Sequence, residues 1–456
     1  MVNELRELMR EASAIPPQDR TDVAAVLGRG RRRVRVRRMA ILAGTSLAAG
    51  AIALGSLAWL DPAPADLAAA GVPRPAGPTV RLTDARPAVE GQDYRELAAY
   101  TNEDLEADNG QYFDGVTDDG LVLFRDGPRS TQRYPRFALM DPATGEKDWL
   151  AEARDIGQSQ LWAVELSEQR LVLVSPGEPV QSGDDMAMAL TAHVYDRASG
   201  TWDTLRWTDL PAIDGPWGAR VGPDGRLYVP VLASRGEIPE GGWPTGPDGE
   251  ADDADAEGDT YDLWSVSLTE QRDVRDEGLR VGAFDFAQDA MVWTDSQNGD
   301  AGRVHVRDLA TGEERSFDPA LGERCNLLGF SADGDRIAMS QYCGTYEGGV
   351  RDDRVQVVTT DGDQVMTVQD NGVEGGQLVA GGDYLTVTAY DRATGGTYLY
   401  DFDQERLLRL SDGTSSWSVA VGPTPGDQFM WTTPAGGKVE LFGRSGATAH
   451  LGEIIR

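Results

Sequence analysis

The stretch Leu327–Gln341, LLGFSADGDRIAMSQ, decides the fold: two apolar runs of strand length flank a polar turn at Asp333-Gly334. An Asp-Gly pair between such runs is the short-range sign of a hairpin, because glycine reaches the positive φ that the turn demands. The unit recurs. It reads GVTDDGLVLFRDG around Asp119-Gly120, WAVELSEQRLVLVSPG around Glu168, GARVGPDGRLYVPVL around Asp224-Gly225 and VGAFDFAQDAMVW around Asp289. Further copies are GGQLVAGGDYLTVTAY around Gly382 and VAVGPTPGDQFMWTT near Gly426.

A second hairpin type alternates with the first. It appears as FALMDPATGEKDWL (Asp141 to Gly145), HVYDRASGTWDTL (Asp196 to Gly200) and VHVRDLATGEERSF (Asp308 to Gly312). Plainer versions turn near Thr269, Gly362, Asp403 and Gly446. Together the two types give about seven units of four strands, repeating every 45–60 residues or so. Four antiparallel strands per unit, repeated radially, predict an all-β chain folded as a seven-bladed β-propeller.

On these residues the chain resembles the WD-like and quinoprotein-like propellers. The stretch Asp141 to Trp149 looks like the quinoprotein-type repeat, and Ser331 to Asp335 looks like the Ser-x-Asp-Gly turn of bacterial WD-like propellers. The resemblance covers about residues 110–452 and implies a fold, not an activity, since propellers host enzymes, lectins and scaffolds alike.

Ahead of the repeats, residues 39–60 (MAILAGTSLAAGAIALGSLAWL) carry no charge. At 1.5 Å per residue they make roughly 33 Å of helix, enough to cross a bilayer. Seven arginines lie between 29 and 38 and none directly after the span, which places the N-terminus inside the cell and the C-terminal domain outside. Residues 1–38 then form a basic cytoplasmic tail. Leu5, Leu8, Met9 and Ala12 follow helical spacing there, so residues 1–28 are expected to offer short amphipathic helices to a cytoplasmic regulatory protein or to the membrane surface. Residues 61–90 read as a Pro/Ala-rich stalk and 91–456 as the extracytoplasmic propeller. The layout, with arginine far outnumbering lysine, is similar in style to actinobacterial envelope proteins.

Charge excludes some partners. The tail carries +5 and the remainder −38 of a formal net −33. So acidic a body repels nucleic acid and anionic headgroups. Cys325 and Cys343 are the two cysteines. Their midpoint falls at Gly334, so they face each other across the hairpin or miss by one residue, and a disulfide is expected.

Chemistry is thin in the sequence. Residues 236–260 form an acidic insertion in the third unit, where Asp253, Asp255, Glu257 and Gly258 match the first half of a calcium loop. Trp264 stands where the twelfth-position Glu belongs, so a solvated loop is the first reading and calcium at residues 248–259 the lesser one. His193, His305 and His450 all fall in strand-like runs, and Trp149 and Trp202 are expected to pack between blades. No catalytic, cofactor-binding or metal-ligating residue is nominated. The expectation is a non-enzymatic binding or sensing module for an extracytoplasmic protein or small ligand. An exported envelope hydrolase or a passive scaffold is the alternative.

Overall fold

The computed structural model describes residues 77–101, 111–127, 134–154, 156, 161–182, 185–247, 249, 251–321, 323–346, 349–379, 381–391, 393–412, 427–433 and 448–456. The expected tail (1–38), transmembrane helix (39–60) and stalk up to residue 76 lie outside them. Among the described residues no helix is long and apolar enough to cross a membrane. The helical structure described is two single-turn 3-10 helices, Leu82–Asp84 and Pro216–Gly218.

Among the described residues the strands form seven sheets. Sheets one to six follow the chain at 111–149, 162–206, 220–281, 284–317, 326–369 and 373–411. In each, four strands pair in chain order, through the expected turns between Asp119-Gly120 and Asp403. The aspartate-led turns share one mechanism. Oδ1 of Asp141, Asp196 and Asp308 accepts a backbone N–H from Ala143 (2.8 Å), Ser199 (2.6 Å) and Ala310 (2.9 Å) respectively. Gly145, Gly200 and Gly312 then close each turn at φ 70°, 69° and 75°, where a side chain would be strained.

Burial on both faces explains why the runs lack clean polar alternation. In sheet five, Ile337 and Met339 pack with Val292, Val304 and Val306 of sheet four. Their neighbours Ala338 and Val355 pack with Leu385, Val387 and Tyr398 of sheet six. Each of the other apolar clusters also draws on two sheets: Leu123 with Leu173, Val174 with Val229, Leu263 with Met291, and Tyr384 with Phe429. The cluster holding Met430 and Phe113 joins sheet seven to sheet one. Twisted sheets cored pairwise in this way make a β-propeller.

Sheet seven departs from the sequence reading. Thr448–Ile454 pairs antiparallel with Gln428–Thr433 on one side and with Tyr94–Thr101 on the other. The outer strand therefore comes from the beginning of the domain, while the expected turn near Gly446 lies outside the described residues. Residues 434–447 lie outside the described set. The stalk boundary at 90 also moves. Thr79–Val80 runs parallel to the last strand of sheet five and Arg86–Pro87 parallel to the last strand of sheet six. Leu82 between them is buried in the five–six cluster. Asp93 then fixes the entry to sheet seven. Fully buried, it accepts from both Arg86 and Arg406 and takes the Val89 N–H at 2.8 Å.

Candidate functional site

The antiparallel order gives every sheet two ends. The Asp-Gly and aspartate-led turns occupy one end. The connections between second and third strands, and between sheets, occupy the other. At that second end, between sheets three, five and six, a group of charged side chains gathers.

Sheet five supplies the centre. The third strand, Val350–Thr359, contains Arg351-Asp352-Asp353-Arg354. Alternation sends Asp352 and Arg354 toward sheet four and Arg351 and Asp353 toward sheet six. On the sheet-four side Arg354, 1% exposed, binds Asp352 at 2.5 Å and Glu323 at 3.0 Å. Gln369 donates to the same Asp352. The charges of this set pair with one another, while Gln369 Oε1 is left without a partner among the described residues. A buried charge cluster with every charge paired is a structural element.

The sheet-six side is more open. Arg351 holds Asp353 at 3.0 Å and lies 4.2 Å from the ring centre of Tyr342. The Gly372 N–H also reaches Asp353, at 2.9 Å. The Tyr342 hydroxyl donates to Asp252 at 3.2 Å, and the Asn326 amide bonds Asp253. Glu374 stands beside Asp353 on the first strand of sheet six and makes no hydrogen bond or ion pair among the described residues. It is the extra residue of a bulge, since Val373 pairs with Ala389 but Gly375 pairs with Thr388. A bulge re-aims the side chain it inserts. Burial lifts the carboxyls of Asp253 and Asp353 above the usual range. It lifts Glu374 to about 7, helped by the charge of Asp353.

The disulfide sits under this site. Cys325 and Cys343 are bridged with Cα atoms 4.2 Å apart. From the turn, Asp333 pairs with Arg336, a register that would carry Cys325 one residue past Cys343. A bulge between Leu327 and Gly329 removes the offset and pairs Asn326 with Tyr342. The bridge thus locks the strands that present those two side chains.

The acidic insertion is anchored, not merely solvated. Asp252 meets Tyr342, Arg324 donates to the Asp255 carbonyl at 3.2 Å and to Asp300 at 3.1 Å, and Glu257 pairs with Gly299. Its carboxylates diverge. Asp253 turns in to Asn326, while the Asp255 side chain is 83% exposed beside Arg324. Gly258 does take the turn conformation, at φ 77°. Among the described residues no group of three or more His, Cys, Asp or Glu is placed to hold a metal. The calcium alternative at 248–259 therefore loses the convergence it needs from Asp253, Asp255 and Glu257.

The histidines do not meet. His193 lies buried between Ser175 and Thr204 in sheet two. His305 stacks on Trp293 in sheet four and His450 on Trp431 in sheet seven, each bonded to a carboxylate at 2.7 Å. Trp202 packs on Phe137 of sheet one, as expected. Trp149 stays 40% exposed with Arg136 stacked over it. Sequence reading missed Asn326, Tyr342, Arg351, Asp353 and Glu374. The one signal available was the Arg-Asp-Asp-Arg run, four charges inside an otherwise apolar strand.

No protein-family model matches the sequence, and neither does any curated protein. Among solved structures the chain is similar to the β-propeller domain of Cps50 (Swd1) from Myceliophteria thermophila, at 10% identity and TM-score 0.40 over 81% of this chain and 98% of that one. It is similar to an oligogalacturonate lyase from Vibrio parahaemolyticus, at 12% and 0.42 over 79% and 98%. It is also similar to the β-propeller domain of the Trilobed protease from Pyrococcus furiosus, at 8% and 0.42 over 72% and 93%. Neighbours this distant include a lyase and a protease domain, and they carry no argument about the activity of this chain.

Proposed function

We propose that this chain is a membrane-anchored, extracytoplasmic binding or sensing protein. In this reading the seven sheets are the blades of one closed propeller, residues 39–60 anchor it, and residues 1–28 offer a docking segment to a cytoplasmic regulator. Seven inter-sheet clusters, the last shared by sheets seven and one, support the closed ring. The disulfide suits an oxidising compartment, in keeping with a propeller outside the membrane.

The observation that carries the binding role is the half-open polar site of Asp252, Asp253, Asn326, Tyr342, Arg351 and Glu374. Pure packing does not call for an unpaired carboxylate there, and even a half-buried charge left without a partner is costly. Sites of this kind cluster where ligands bind. A photo-crosslinking residue at Asn371 should capture an envelope component from intact cells. The same residue at Ala198, in a turn at the opposite end, should not. Equal capture at both positions would remove the site. Deleting residues 1–28 while keeping the arginines should release any cytoplasmic partner.

One observation favours an exported hydrolase as the second reading. A carboxyl titrating near 7, as Glu374 does, suits general acid–base work at neutral pH. Turnover of an envelope glycan, lactone or peptide that disappears in Glu374→Gln would establish it.

A further inference from the structure

We propose that this site takes its ligand through primary ammonium groups, such as the side chains of a lysine-bearing peptide or the ends of a polyamine. The inference rests on the binding reading above and names the chemistry that the site recognises.

What the site lacks is donors. Asp353 has Arg351 and the Gly372 N–H, Asp252 has the Tyr342 hydroxyl, and Asp253 has the Asn326 amide. Two acceptors remain. Glu374 has no partner among the described residues. Asn326, 3% exposed and committed to Asp253 through its N–H side, leaves its Oδ1 buried with nothing donating to it. Asp353 and Asp253 share the one guanidinium of Arg351 and Glu374 has none, so the missing donor is cationic. A metal ion does not fit, because no three metal-binding side chains converge among the described residues. A guanidinium prefers a paired planar edge, and Arg351 already fills that role at Asp353. Glu374 and Asn326 Oδ1 stand on the first strands of two different sheets, as separate point acceptors. Ammonium groups on flexible stems match separate points better than a rigid fork does.

Binding is linked to protons through Glu374. The charged group beside it is Asp353 on sheet five, itself held by Arg351, with Asp370 and Asp391 flanking the entry to its own strand. Asp370 is held by Arg81, and Asp391 accepts from Asn371. The free cation among these is none, so an incoming ammonium competes with a proton on Glu374.

The test is calorimetric titration of trilysine amide and of spermidine into full-length protein in detergent micelles. The expected result is saturable binding about tenfold weaker at pH 6 than at pH 8, as one carboxyl titrating near 7 requires. Glu374→Gln should abolish that pH step and weaken binding at pH 8 about tenfold. Asp361→Asn, an exposed carboxylate at the opposite end, should change neither. Preference for trilysine over spermidine identifies a protein segment as the source, and the reverse a polyamine. Absent binding, equal binding of acetylated trilysine or triarginine, or an equal loss in Asp361→Asn would overturn the proposal. If trilysine fails while the Asn371 crosslinker still captures a partner, the ammonium reading alone falls. If both fail, the site itself is lost.

Discussion

Asp93 and Glu374 are both carboxylates in a propeller wall, the first fully buried and the second half-buried, and their environments are opposite. Asp93 joins the outer strand of sheet seven to sheet six and is met by two arginines, Arg86 and Arg406. Its pKa is held below the usual range, first by the hydrogen bond from Arg86. Glu374, on an inner strand, meets no cation and sits beside another acid. Where the fold depends on a charge, the chain neutralises it. A charge left without a partner opposes folding, and the proposed ligand site is the reason offered for its retention.

The largest effect should come from breaking the paired member. Asp93→Ala leaves both arginines without their acceptor and detaches the strand that shares sheets six and seven. A loss of about 3–4 kcal/mol is expected in denaturant unfolding, toward the lower end for a buried pair because the arginines are partly exposed. The sign with pH follows from the lowered pKa. The stabilisation is present above about pH 4 and disappears as acid protonates Asp93 below its unfolded value. An unchanged midpoint would mean that the closing strand adds little.

Next comes the disulfide, which belongs to the Glu374 side of the contrast. Replacing Cys325 and Cys343 by serine opens an 18-residue separation and should cost about 3 kcal/mol. It should also loosen Asn326 against Tyr342, so ligand capture at Asn371 should fall while the Asp93 end is untouched. Capture that survives reduction would separate the bridge from the site.

The smallest effect lies in the turn just before Arg406, the second partner of Asp93, at the end opposite Glu374. Asp401 accepts from Gln404 as the other turn aspartates do, but Glu405 takes the closing position at φ 47° where its counterparts are glycine. Glu405→Gly should raise stability by about 0.5–1 kcal/mol without moving Glu374. A destabilised variant would show that Glu405 makes contacts worth more than the strain.

The same contrast explains how much was legible in the sequence. Hairpins are local, so the turns at Asp119-Gly120, Asp333-Gly334 and Asp308 to Gly312 could be read directly, and the β-propeller followed. The cysteine pair was legible to within one residue, because the bulge at Leu328 that decides the register has no local signature. Tyr94–Thr101 was not legible as the edge of the last sheet, since its partner lies some 350 residues on and no turn announces the pairing. Glu374 was hidden for another reason. One acid among the 75 Asp and Glu is indistinguishable until its neighbours are known, and those come from another sheet. Asp253 and Asp255 shared a plausible ligand spacing, yet the anchored loop turned one inward and the other out.

The central claim is that Glu374 is an unpaired carboxylate kept at a cost to the fold, and stability against pH tests it most directly. Its folded pKa of about 7 lies above the reference value of 4.5, so the folded chain holds that proton longer than the unfolded one. The penalty is absent below about pH 4.5, grows through pH 7 and is complete near pH 8. Glu374→Gln should therefore match the wild type at pH 4.5 and exceed it by about 2 kcal/mol at pH 8, allowing for solvent screening. Unfolding curves that stay parallel across that range would show that Glu374 is already paired, and would contradict the account.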